Sequence, residues 1–208
     1  MAMSVITTEL LRGLRMPVAP DRMVFIGVDL GQRGSYTAFV VLERFEEWPS
    51  NHTDVLRGEG AKKRYVVRHA ERVKLGTPYT EVVMKVKRLA EHLMATHGPC
   101  TIVVDESGVG VPVVDMMREV GMGCRIVPLV ITSGQAATST SVPRAELVTK
   151  MQLMAERGEL VIAEECMHVE ALHRELVHLQ LGSAASGSGD SDDLALALAL
   201  ACWRARIR

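Results

Sequence analysis

The sequence predicts one α/β domain: a mixed β-sheet, an antiparallel three-strand meander plus parallel strands, flanked by α-helices. Three observations carry that expectation. Three apolar or β-branched runs follow one another near the start, the pattern then switches to alternating helical and extended periods, and the apolar content suffices for one sizeable core. Of the 208 residues 48 % are hydrophobic and 24 % charged, which excludes disorder for most of the chain. A chain of this length buries roughly 70 % of the surface its unfolded form exposes and needs no staples.

Residues 1–22 read as an N-terminal arm or linker, with a short helical pattern (Leu10, Leu11, Leu14) before Pro17 and Pro20; residues 23–208 form the domain. The runs 24–29 (VFIGVD) and 35–42 (SYTAFVVL) read as a hairpin of buried strands joined by a Gly-containing turn. Residues 43–60 are polar, contain Pro49 and Asn51, and read as a loop. Residues 64–74 (RYVVRHAERVK) complete an antiparallel meander. The period then becomes helical: Val82, Val83, Val86, Leu89, Leu93 and Met94 share one face, with Thr77 and Pro78 at the N-cap and first turn.

Residues 101–105 (TIVVD) form a short apolar strand, and a helix over 111–120 is stopped by Gly121 and Gly123. Residues 125–131 (RIVPLVI) are another strand, and the Ser/Thr/Gly/Ala-rich stretch 132–141 is a mobile loop. A helix over 144–157 ends at Gly158, an extended piece covers 160–163, and an amphipathic helix covers 165–181. A flexible Gly/Ser/Ala tract, 182–189, leads to a closing Ala/Leu helix over 192–206. The order is β-β-β-α-β-α-β-α-α-α, without an internal repeat. Arg204 to Arg208 are expected to be dispensable for folding, as chain ends usually are.

The chain has 24 Lys and Arg against 25 Asp and Glu, so it does not coat nucleic acid through net charge, although a local basic face stays open. Cys100, Cys124, Cys166 and Cys202 are widely spaced with no CxxC, which suggests neither a zinc ribbon nor a thioredoxin-type pair and suits a reduced, cytoplasmic compartment. No secretory leader is read. The longest apolar run, 194–203, is far short of the ~20 residues of a membrane helix.

The chemistry is expected from acids. Asp29 and Asp105 each end an apolar strand, and Asp192 and Asp193 open an apolar helix after a flexible tract. Sites in alternating α/β sheets gather at the carboxyl ends of strands. If the two strands are neighbours, Asp29 and Asp105 converge there, and the helix can bring a third carboxylate. Clustered carboxylates coexist ionised only beside a cation, and their hard oxygens suit Mg²⁺ or Mn²⁺. Three or four of them can hold two ions about 4 Å apart, the arrangement that supports in-line phosphoryl displacement by water. Each acid also has a plain alternative: Asp29 as an Asx-turn residue, Asp105 as the opener of a turn, and Asp192 and Asp193 as helix caps.

Other candidates are weaker. His168, His173 and His178 recur every five residues, which rotates successive rings onto different faces of a helix. Met116, Met117, Met151 and Met154 read as core filling. Ser107 lacks the G-x-S-x-G setting of a hydrolase nucleophile.

The succession VFIGVDLG…SYTAFVVLE, TIVVDESGVGVPVVDMM, VPRAELVTKMQLMAERGELVIAE and SDDLALALALACW resembles the nuclease domain of viral, phage-type large terminase subunits, from about Phe25 to Trp203. Its most specific parts are Asp105 with Gly108 and Gly110, and the Ala-rich helix opened by Asp192 and Asp193. The resemblance implies a ribonuclease H-like (retroviral integrase-type) fold. It implies a metal-dependent endodeoxyribonuclease that cuts double-stranded DNA during viral genome packaging in the host cytoplasm. Two divalent ions, Mg²⁺ or Mn²⁺, would be held by Asp29, Asp105 and Asp193, with Asp192 auxiliary. A separate packaging ATPase, a small terminase subunit or a portal are the implied partners.

Many members carry a histidine before the Asp pair where this chain has Ser191, and many insert a β-hairpin near 132–141, where this chain has a short loop. No G-x-x-x-x-G-K-[ST] loop is present and 22 residues leave no room for an ATPase. The chain is therefore expected to be an excised domain, a separate nuclease or a remnant. Candidates for phosphate contact are Lys62, Lys63, Arg64, Arg68 and Lys74, with Arg204, Arg206 and Arg208 near the end; the alternative is a charged sheet edge that discourages pairing. Three other functions are weighed. A junction resolvase-like nuclease shares the acid pattern. A sugar or acetate kinase-like ATPase is suggested by IGVDLGQRGS but needs a duplicated domain. A non-catalytic assembly component would have to keep the acids for no use.

Overall fold

A computed structural model describes residues 22–31, 34–49, 60–134, 136–164, 166, 168–180 and 192–207. The chain opens with β1 (Met23–Asp29), β2 (Ala38–Glu47) and β3 (Lys62–Arg72), which pair antiparallel in sequence as a meander. Four further strands follow: β4 (Cys100–Asp105), β5 (Arg125–Thr132), β6 (Ser141–Pro143) and β7 (Leu160–Ile162). β4 pairs parallel with β1, β5 with β4, β6 with β5, and β7 with β3, giving the order β6-β5-β4-β1-β2-β3-β7. The helices are α1 (Tyr79–Thr96), α2 (Gly110–Val120), α3 (Arg144–Glu156), α4 (Val169–Gln180) and α5 (Asp193–Arg206).

β1 is central and buried on both faces, which is why its sequence is a continuous apolar run. Its side chains alternate between two cores. Val24, Ile26 and Val28 join Ile102 and Val104 beneath α1 and α2, where Val82, Val86, Val113 and Met117 meet them. Phe25 and Val103 face the opposite way, toward Leu147 and Met151 of α3, Leu172 of α4 and Leu198 of α5. By the same two-residue period, Asp29 and Asp105 point to the α5 side of the sheet.

Several expectations need correction. β2 runs on to Glu47, where a loop was expected, and β3 begins at Lys62, two residues before the expected start. Glu46 and Glu47 lie opposite Lys63 and Lys62, and opposite charges across a ladder stabilise strands that lack apolar alternation. Residues 50–59 of that stretch lie outside the described residues. β6 was not anticipated; it takes up the end of the supposed loop 132–141, with Val142 buried. The cap of α1 is Pro78, not Thr77, whose hydroxyl donates instead to the Lys74 carbonyl at 2.7 Å and closes the preceding turn.

α4 starts at Val169 rather than at 165, because His168 takes the left-handed conformation (φ 56°). The end of α5 is packed rather than dispensable: Ala205 is buried, and Arg44 Nη1 donates to its carbonyl at 2.9 Å. The arm 1–21 and the tract 182–189 lie outside the described residues. All four cysteines are free thiols, and no described helix is long and apolar enough to cross a membrane.

Candidate active site

The site begins with a glycine. A Cβ on Gly27 would lie 1.9 Å from the Ala197 carbonyl oxygen, so β1 and α5 touch backbone to backbone. Ala201, one turn on, is close as well: its nitrogen would lie 3.1 Å from that Cβ. Asp29 lies two residues beyond Gly27 on the same face, about 7 Å along the strand. Asp193 lies one turn before Ala197, about 6 Å along the helix. Both steps lead to the same rim. β4 is in register beside β1 (Val28 opposite Val104), which sets Asp105 next to Asp29 on that rim.

Asp29 is 9 % exposed, and its carboxyl is pushed up to about 8. Burial contributes most; the charges of Asp193, Asp105 and Glu175 add to it, and Arg144 opposes them. The electrostatics therefore record the same convergence as the register. Asp105 keeps its turn role as well: its Oδ1 accepts the Ser107 N–H at 2.9 Å. The turn is tied to β5 by Glu106 N–H on the Leu129 carbonyl (2.8 Å) and Ile131 N–H on Ser107 Oγ (3.1 Å). Gly110 is required there, since a Cβ would sit 2.5 Å from the Asp105 carbonyl oxygen.

The first of the two acids at the start of α5 does not cap it. Asp192 stands at the N-cap position, makes no capping bond, and pairs with the Arg144 guanidinium. The free N–H of Ala195 is instead accepted by Glu175 of α4 at 2.8 Å, and Glu175 also pairs with Arg72 at the end of β3. Glu175 is 6 % exposed, and burial raises its carboxyl above the ordinary range against the pull of the Ala195 N–H and Arg72. With the cap supplied from elsewhere, the buried Asp193 faces the rim.

Sequence reasoning missed Glu175 and Arg144. Signals existed: Glu175 interrupts the apolar stripe Leu172, Leu176, Leu179, and Arg144 is a cation in a first helical turn, where the dipole disfavours it. The basic candidates are split. Lys74, just past β3, is on the carboxylate rim. Lys62, Lys63 and Arg64 are at the far end of the same strand, about 30 Å away. Arg64 there bonds Glu47 (2.5 Å) and the Gly158 carbonyl (2.5 Å). Arg68, midway, pairs with Glu43 at 2.7 Å. Arg204 and Arg206 are roughly 17–20 Å down α5 from Asp193. The structure does not bring these six to the carboxylates, because alternate ends of a long strand and a long helix point to opposite rims. Arg208 lies outside the described residues.

A divalent cation is the group the donor set suits. Its oxygens are hard, its members repel one another, and Asp29 keeps a proton where a cation would otherwise offset the charge. Among the described residues, no three His, Cys, Asp or Glu side chains stand close enough together to enclose an ion. The acids approach one rim without closing to coordination distance.

No protein-family model matches the sequence, and no curated protein matches it significantly. Among solved structures, the chain is similar to the large terminase nuclease of the thermophilic phage G20c with bound zinc: 21 % identity, 87 % of this chain and 80 % of that one covered, TM-score 0.51. It is also similar to the manganese-soaked terminase nuclease domain of human cytomegalovirus: 13 % identity, 86 % and 81 % covered, TM-score 0.51. These likenesses establish the ribonuclease H-like fold that the sequence led us to expect.

Proposed function

We propose that the chain is a divalent-metal-dependent endonuclease that hydrolyses phosphodiesters of double-stranded DNA, as a terminase nuclease does. The observation that carries this reading is Asp29: a carboxyl at a strand end, made hard to ionise first by its burial and further by acids from three other elements. A structural role would not require acids to gather at one rim, and the Ala195 N–H that Asp192 could have capped is taken by Glu175. Asp29, Asp105 and Asp193, with Asp192 beside them, would hold two Mg²⁺ or Mn²⁺ ions. Such ions supply an activated water and stabilise the leaving 3′ oxygen.

The chain's own residues set the conditions. Asp29 must release its proton before it can ligate, so metal affinity should rise toward about pH 8. Glu175 holds the first turn of α5, and with it Asp193, while Arg144 restrains Asp192. A packaging ATPase, small terminase subunit or portal would deliver the DNA, in the host cytoplasm.

The test is nicking and linearisation of supercoiled plasmid with Mn²⁺, Mg²⁺ or EDTA, beside Asp105→Asn and Asp193→Asn. Metal-dependent cutting lost in both variants, each still folding cooperatively, is the expected result. Full activity in Asp105→Asn would remove the two-metal reading.

A further inference from the structure

We propose that a trough on the α1 side of the carboxylate rim is the path of one nucleic-acid strand, held through its phosphates by Lys74, Lys85 and Arg88. The trough consists of two abutting depressions of about 420 and 450 Å³ that share Val73, Lys74 and Thr77. One is floored by Gly31 and Gly34, in the turn that directly follows Asp29. The other continues along α1 past Thr80, Met84 and Lys85 to Arg88. The trough thus begins two residues beyond Asp29, with none of the four acids in its lining, and leads away along α1.

Its chemistry fits a phosphodiester backbone. Glu81, Met84, Lys85 and Arg88 share one exposed face of α1, at spacings of three, four and seven residues. Lys74 and Arg88 are exposed and form no ion pair among the described residues, whereas Lys85 pairs with Glu71. Thr77, Thr80 and Ser35 offer hydroxyls, and the exposed Leu75 and Met84 (45 % and 40 %) suit sugar faces. Among the described residues Glu81 is the one carboxylate on the lining, and it opposes an anion. From Thr80 to Arg88 the helix rises about 12 Å, enough for about three phosphates of a single strand. None of these groups comes from the distant ends at Lys62 or Arg206.

The ligand class rests on the nuclease reading, but the test does not need cleavage. Binding of a fluorescent duplex is followed against salt in EDTA, where cutting is absent. For Lys74→Ala with Arg88→Ala, the slope of log K against log salt should fall by about 2. Glu81→Gln should tighten binding, and Lys62→Ala with Lys63→Ala should leave the slope intact. Melting curves confirm that each variant is folded. An unchanged slope in the Lys74–Arg88 variant, or a wild-type chain that binds no duplex, overturns the trough. Failure of plasmid cutting with the slope effect present would overturn the nuclease reading alone.

Discussion

Asp29→Asn should make the metal-free protein more stable, by an amount that depends on pH. A carboxyl that titrates at about 8 in the fold and at 3.8 when unfolded binds its proton more tightly in the folded state. Its effect is nil below the unfolded value, where both states are protonated. As pH rises, the unfolded chain ionises freely and the folded one does not, so stability falls by about 1.4 kcal/mol per pH unit. The loss levels off above about pH 8. Asparagine, of nearly the same shape, carries no such dependence. Between about pH 5 and 8 the gap between variant and wild type should grow by about 4 kcal/mol at most. For a chain of this size that is a gap in Tm widening by roughly 8–16 °C. Melting curves in EDTA across that range provide the assay. A gap that stays constant with pH would refute the account of the rim as a cluster of mutually repelling acids.

Gly27→Ala places a methyl group 1.9 Å from a carbonyl oxygen with backbone on both sides. It should cost about 3 kcal/mol or more, and a Tm within about 2 °C of wild type would contradict the close contact of β1 and α5. Glu175→Gln keeps an oxygen for the Ala195 N–H but removes a charge that repels Asp29. Followed by carboxyl NMR, Asp29 should then titrate lower, toward the ordinary aspartate range. An unmoved titration would show that Glu175 does not belong to the cluster.

The elements that carry the four acids were legible because each is a sharply bounded apolar run. TIVVD and VFIGVD are short, rich in β-branched residues and followed by glycines, which favours buried strands over helix. What the sequence did not reveal depended on contacts between distant segments. The Glu46–Lys63 and Glu47–Lys62 pairings that extend β2 and β3 involve charged residues, which carry no apolar signal when read singly. β6 is three residues long with one buried side chain, too brief for any pattern. Glu175 acts on α5 across a stretch that no local propensity links to it. The lysines and arginines were countable, but a count does not tell which end of a strand meets the rim. Lys85 and Arg88 were hidden inside a helix whose apolar face dominated its reading.

The contact between Gly27 and Ala197 has a consequence for how such a chain can change. The separation of Asp29 from Asp193 is set by two main chains touching, with no side chain between them to be trimmed or enlarged. Among many variants selected only for retained function, position 27 should therefore tolerate almost nothing, although it has no reactive group and is far from solvent. The residues around the trough should drift freely in identity so long as their charge is kept. If the proposed function holds, such a site can alter which strand it grips far more readily than the spacing of its acids.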